Sequence, residues 1–211
     1  MEESSSNPVR RGRPPRSAEE IGANRARIVA AARDLFAAEG YDGVSMRKVA
    51  ARAQCLTSTL YTLFPNKRQL LHCLWEGIFA DLVAAMEQSY AASAPGVRLI
   101  ALCLTNIDFW LERPEDYRAI FLVEDRVQDS DAPYFVENVL ALRLVAILQD
   151  AVVEAQQRGE VGPGDPEAIR DALLCGIQGV AYNLIAIPEF RWGDPERLKR
   201  TTVEALVRGL R

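Results

Sequence analysis

Within one short stretch the chain places Thr57, Ser58, Thr59, Tyr61 and Thr62, with Leu60 and Phe64 spaced four apart. On a helix, Leu60 and Phe64 face a core while the hydroxyls face outward. Small hydroxyls can approach base edges and thymine methyls closely, and a tyrosine hydroxyl is a good phosphate donor. Basic side chains flank the stretch: Arg47, Lys48 and Arg52 precede it, and Lys67 follows. Lys67 falls where free backbone N–H groups at a helix start already favour phosphate. Near the N-terminus, Arg11 and Arg13 lie in a compact basic run, Arg10 to Arg16, suited to a narrow A·T-rich minor groove. These types and spacings suit recognition of double-stranded DNA. A generic polar helix face is the bland alternative. It loses because cap, turn, hydroxyl face, basic partner helix and following lysine coincide.

Chemistry of other kinds finds little to use. His72 is the only histidine, which removes multi-histidine metal sites and makes a histidine-based triad improbable. The four cysteines, 55, 73, 103 and 175, include no C-x-x-C pair, so no metal or disulfide framework is expected. An all-helical enzyme is a distant alternative, since no acid–base pair or phosphate loop is evident. A nearer one is a thiol-based redox sensor using Cys55, in the turn before the hydroxyl stretch, or Cys103. The longest uncharged stretch, between Asp171 and Glu189, is interrupted by Gln178 and Asn183 and is too short to span a membrane. The N-terminus is acidic where a signal peptide needs base. The expectation is a cytoplasmic protein with no membrane partner.

Charge sharpens the picture. The 211 residues carry a net −4, which taken alone argues against a nucleic-acid partner. Divided at Arg68, the first part carries +5 and the remainder −9. The basic third is the part that holds the hydroxyl stretch.

The elements that must position these residues read as helices throughout. Helix one runs from about residue 19 or 21 to Ala38, with Ile28, Ala31, Ala32, Leu35 and Phe36 as its apolar stripe and Gly40 as its stop. Ser45 caps helix two, Met46 to about Ala53. Helix three runs from Thr57 or Ser58 to Phe64, stopped by Pro65. Asn66 caps helix four, with Gln69 at the capping-box position, and this helix continues to about Ala91. Helix five follows Pro95-Gly96 to about Leu111, and helix six follows Pro114 to about Glu124. Helix seven follows Asp131-Ala-Pro133 and ends near Arg158. Helix eight spans Pro166 to about Ile187, and helix nine follows Asp194-Pro195. The expected fold class is all-α with about nine helices. A basic arm (1–18) precedes a helix-turn-helix three-helix domain (19–68) and a larger helical domain (69–211).

The segments Arg27 to Tyr41, Ser45 to Ala50, Thr59 to Lys67 and Leu70-Leu71 resemble the N-terminal domain of TetR-type transcriptional regulators. The resemblance covers about a fifth of the chain tightly. It implies a homodimeric, ligand-responsive regulator, expected to repress from a palindromic double-stranded DNA operator, pairing through helices eight and nine. By position, Ser45, Tyr61 and Lys67 would contact phosphate. Thr57, Ser58, Thr59 and Thr62 would meet bases or nearby backbone, with Arg47 and Lys48 adding charge. Such regulators usually have Gly-Val-Ser between helices two and three, and this chain has Gln54-Cys55-Leu56. Gln54 must then take a glycine-like conformation, and Leu56 cannot cap, so Thr57 is expected to cap one position later.

The resemblance also implies an effector pocket in the C-terminal domain. Candidates are Cys103, Asn106, Phe109, Trp110, Tyr117 and Phe121, then Tyr134 and Phe135, then Gln178, Tyr182 and Asn183. Each aromatic alone reads equally as core, whereas amides embedded in an apolar helix need partners. The expected effector is a small apolar or aromatic molecule, with no other cofactor.

Overall fold

A computed structural model describes residues 17–122 and 138–210. It contains nine α-helices and, among the described residues, no strand. They are α1 (Ala18–Gly43), α2 (Met46–Arg52), α3 (Thr57–Leu63), α4 (Lys67–Ala92), α5 (Pro95–Glu112), α6 (Pro114–Tyr117), α7 (Val139–Gln157), α8 (Pro166–Ala186) and α9 (Pro195–Gly209). Most starts follow from local chemistry. Ser17 and Glu20 form a reciprocal capping box, at 3.1 and 3.2 Å. Asn66 accepts from the Gln69 amide at 2.8 Å, and Asp165 and Asp194 cap helices that open on proline.

Gly40, at φ 69°, interrupts α1 where the glycine stop was expected, but one further helical turn carries the element to Gly43. Past α6 the helix widens into a π-turn, Arg118–Leu122. The expected continuation of helix six to Glu124 and the Asp131–Pro133 start of helix seven lie outside the described residues, as does the 1–16 segment containing Arg11 and Arg13.

The fold is built around α4. Its first turns, through Leu70, Leu71 and Leu74, join Ile28, Ala32, Phe36, Val49, Leu60 and Phe64 in the core under α1–α3. Its later turns, through Ile78, Leu82 and Met86, pack against α5 and α7, and α5 in turn meets α8 and α9. The far end of α4 is held to α7 by a charge cluster. Arg98 grips both Glu154 oxygens at 2.6 and 2.7 Å, and the Tyr90 hydroxyl donates to Glu154 at 3.1 Å. Arg98 holds the Glu154 carboxyl below the usual carboxylate range.

A second connection joins the two ends of the molecule. Arg33 Nε on α1 lies 2.6 Å from Asp116 Oδ1 on α6, although the two are not aligned as a hydrogen bond. Burial raises the Asp116 carboxyl above its ordinary value even against the opposing pull of Arg33 and Arg113.

Candidate nucleic-acid interface

The α2–turn–α3 unit is compact because α2 buries Met46, Val49 and Ala50, and α3 buries Leu60 beside the Phe64 cap. Gln54 supplies the turn at φ 52°, the conformation expected of the residue that stands in place of glycine. The expected one-residue shift of the cap does not occur. Leu56 is the N-cap, α3 starts at Thr57, and no side chain satisfies the free N–H groups. The backbone amide of Leu60 donates to the Leu56 carbonyl at 3.1 Å, fixing that start.

Ser58, Tyr61 and Thr62 form the exposed face of α3, with Thr57 partly covered. Thr62 Oγ1 donates back to the Ser58 carbonyl at 2.9 Å. Thr59 departs from the expected outward face: it is only 7% exposed. The reason is angular. Positions 59, 60 and 63 share one side of a helix, and that side faces α1, where Thr59 borders a groove with Glu20, Ala23, Asn24 and Arg27.

Ser45 caps α2, accepting from the Lys48 amide at 3.3 Å. Arg47 is exposed and makes no ion pair among the described residues. Lys48 reaches Glu39 at 2.5 Å and the Gly43 carbonyl at 2.9 Å, and Arg52 reaches Asp34 at 3.2 Å. Surface pairs of this kind are worth about 0–1 kcal/mol, so they yield readily to a phosphate.

Lys67 is placed differently from a simple phosphate contact. Its ammonium donates to the Tyr41 and Val44 carbonyls at 2.6 and 3.0 Å and sits 3.9 Å from the Tyr41 ring centroid. Two of its three N–H bonds therefore hold the α1–α2 turn. Sequence reasoning missed this clasp, although Tyr41 before the turn was a visible partner.

In the C-terminal half, Phe109, Trp110, Tyr117 and Phe121 form one aromatic cluster, with Trp110 edge-on to the other three at 5.0–5.6 Å. The Tyr117 hydroxyl lies 3.5 Å from the Gln178 carbonyl, which brings α6 and α8 together. Burial, then the neighbouring Tyr182, pushes Tyr117 up to about 12. Cys103 and Asn106 are buried on the same α5 face as Trp110. Tyr182 is not interior: it is 44% exposed at the edge of this cluster. Asn183 turns its amide onto the Gly179 carbonyl of its own helix at 2.7 Å rather than toward a pocket. Tyr134 and Phe135 lie outside the described residues.

Burial pushes the Cys103 thiol up to about 12, so it stays protonated and shielded. This removes Cys103 from the redox reading. Cys55 is half-buried at the turn. No cluster of three or more potential metal ligands occurs among the described residues.

Residues 28–74 match the family described as bacterial regulatory proteins, tetR family. The match spans α2, α3 and the adjoining parts of α1 and α4. Beyond these residues, likeness extends along most of the chain at low identity. The fatty acid metabolism regulator protein of Bacillus subtilis is 22% identical over 183 residues, covering 87% of this chain and 93% of that protein. A solved protein of unknown function from Rhodococcus sp. RHA1 superimposes with TM-score 0.73 at 23% identity, over 97% of this chain and 99% of the other. NalD, the secondary repressor of the MexAB-OprM multidrug efflux pump in Pseudomonas aeruginosa, superimposes at 0.69, with 21% identity over 91% and 98% of the two chains. The Bacillus subtilis regulator FadR, solved with stearoyl-CoA, superimposes at 0.72, with 20% identity over 88% and 99%. These likenesses agree on an all-helical TetR-like fold. Among the described residues, no helix is long and apolar enough to cross a membrane.

Proposed function

We propose that the chain is a ligand-responsive, TetR-type transcriptional repressor that binds a palindromic DNA operator as a homodimer. The observation that carries this reading is the exposed α3 face, Ser58, Tyr61 and Thr62, beside the exposed Arg47 within the segment that matches the TetR-family model. A short helix with a polar, basic surround is suited to the major groove. Arg11 and Arg13 would add minor-groove contacts, and Ser45, Lys48 and Thr57 would position the backbone.

Dimerisation is assigned to α8 and α9. Their outer side carries an apolar groove of about 530 Å³ lined by Ala172, Thr202, Ala205, Leu206 and Leu210 among others. Two helices from each copy would complete a four-helix interface.

The effector site is assigned to the core between α5, α6 and α8. Asn106 Oδ1, Trp110 Nε1 and Gln178 Oε1 are buried there without a hydrogen-bond partner among the described residues. Buried polar atoms that lack partners are the places a ligand can satisfy. Cys103, Phe109, Tyr117 and Phe121 would supply the apolar walls. The relay to DNA would run through α6, which Arg118 ties to the Ile185 carbonyl at 3.0 Å and Asp116 ties to α1. Recognition helices in such a dimer must sit about 34–36 Å apart, so a few ångströms of movement release DNA. Stearoyl-CoA, bound in the Bacillus FadR structure, is the first effector to test.

The decisive experiment measures binding of the purified chain to duplex DNA from its own promoter neighbourhood, at low and rising salt. Tight binding that weakens with salt is expected, and no binding at low salt defeats the proposal.

A further inference from the structure

The exposed leucine at the start of α3 has no task in the fold. Leu56 is 66% exposed, whereas Leu60, Leu70 and Leu71 of the same domain are fully buried. It occupies the N-cap, where Ser, Thr, Asp or Asn would satisfy a free N–H, and it makes no cap bond. It therefore serves neither core nor cap. It stands instead at the rim of a groove of about 520 Å³ between the start of α3 and α1, which Thr59, Ala23, Asn24 and Arg27 also line.

We infer that Leu56 reads thymine, packing its side chain on the C5 methyl group in the major groove. The inference rests on the DNA-binding function proposed above. The N-terminal residues of a recognition helix are those that meet base edges. Among the groups on those edges, the thymine methyl is the one apolar partner; the others are donors and acceptors. A leucine pressed against a donor or acceptor would remove its water and return no hydrogen bond. Cytosine presents an N4 donor in the major groove and lacks the methyl, so the side chain discriminates between the two pyrimidines.

The test uses the full chain and duplexes recovered from randomised DNA by the wild-type protein. Each thymine is replaced by deoxyuridine, symmetrically in both half-sites, and affinity is measured for wild type, Leu56→Ala and Leu56→Ser. Losing one methyl contact costs roughly fourfold, so a symmetric replacement is expected to weaken wild type by roughly 15-fold at one position. Leu56→Ser should show no loss at that position while retaining its response elsewhere. Its thermal midpoint should equal or exceed that of wild type, because serine restores the cap. The inference is overturned if the serine variant loses affinity at every position as wild type does, or if no thymine in the recovered site responds. Recovery of no sequence at all defeats the DNA-binding reading itself, which is a separate outcome.

Discussion

Replacing Lys67 by methionine separates a clasp from a phosphate contact. Methionine keeps the length and apolar body of the side chain but none of its donors. The change leaves the Tyr41 and Val44 carbonyls without their 2.6 and 3.0 Å partners and removes the cation above the Tyr41 ring. A hydrogen bond to a charged group contributes about 1.5–3 kcal/mol, and a cation–ring contact about 0.5–1 kcal/mol. Lys67 is only half-buried, so water recovers part of this. The expected net loss is about 3 kcal/mol, read as a lower urea midpoint at unchanged slope. The second assay plots log affinity for DNA against log salt. If Lys67 is a clasp, Lys67→Met retains the wild-type slope under conditions where it is folded. If it is a phosphate contact, the slope falls by about 0.9 per protomer, close to 2 for a dimer, while stability holds. That second pattern refutes the clasp.

At Gly176 on α8 an added Cβ would lie 2.2 Å from Leu206 Cδ1, the end of a flexible side chain that lines the open α8–α9 groove and must turn aside. Gly176→Ala should change stability by less than about 1 kcal/mol in urea unfolding, because the helix gain of alanine offsets the shift of Leu206, and a loss above about 2 kcal/mol would show that Leu206 is held fast. Asp116 makes a pH prediction. Its carboxyl is raised in the fold by burial, so the folded chain holds that proton more tightly than the unfolded chain. Its contribution is greatest below the ordinary carboxylate value and is lost as pH rises through the raised one. Compared with Asp116→Asn, wild type should therefore gain stability as pH falls from neutral toward 4. A wild-type-minus-variant difference in urea midpoints that stays flat or falls as pH drops over that range counts against it.

The sequence was most legible where a single residue type has one local use. Gly40, Ser45, Asn66 and the Asp-Pro pairs mark breaks and caps through their own backbone preferences, and the structure places them there. Gln54 was legible for the same reason. Thr59 was not, because a hydroxyl carries no sign of which helix side it occupies, and α1 covers that side. The Lys67 clasp was not legible, because a lysine's reach spans both a phosphate and a carbonyl 26 residues away in sequence. Phe109, Trp110, Tyr117 and Phe121 were legible only as separate pocket or core candidates, because their packing into one cluster depends on helix placement, as does the exposure of Tyr182.

The Arg33–Asp116 pair bears on how the molecule falls apart. One charge belongs to α1, which opens the helix-turn-helix part, and its partner is buried in the other part. A fragment ending at Arg68 would lose that partner along with the α4 turns that complete its core. Domain shuffling at this boundary would separate two functions but not two independent cooperative units. The chain should unfold in one transition, so weakening the α5–α9 part also loosens the α1–α3 part.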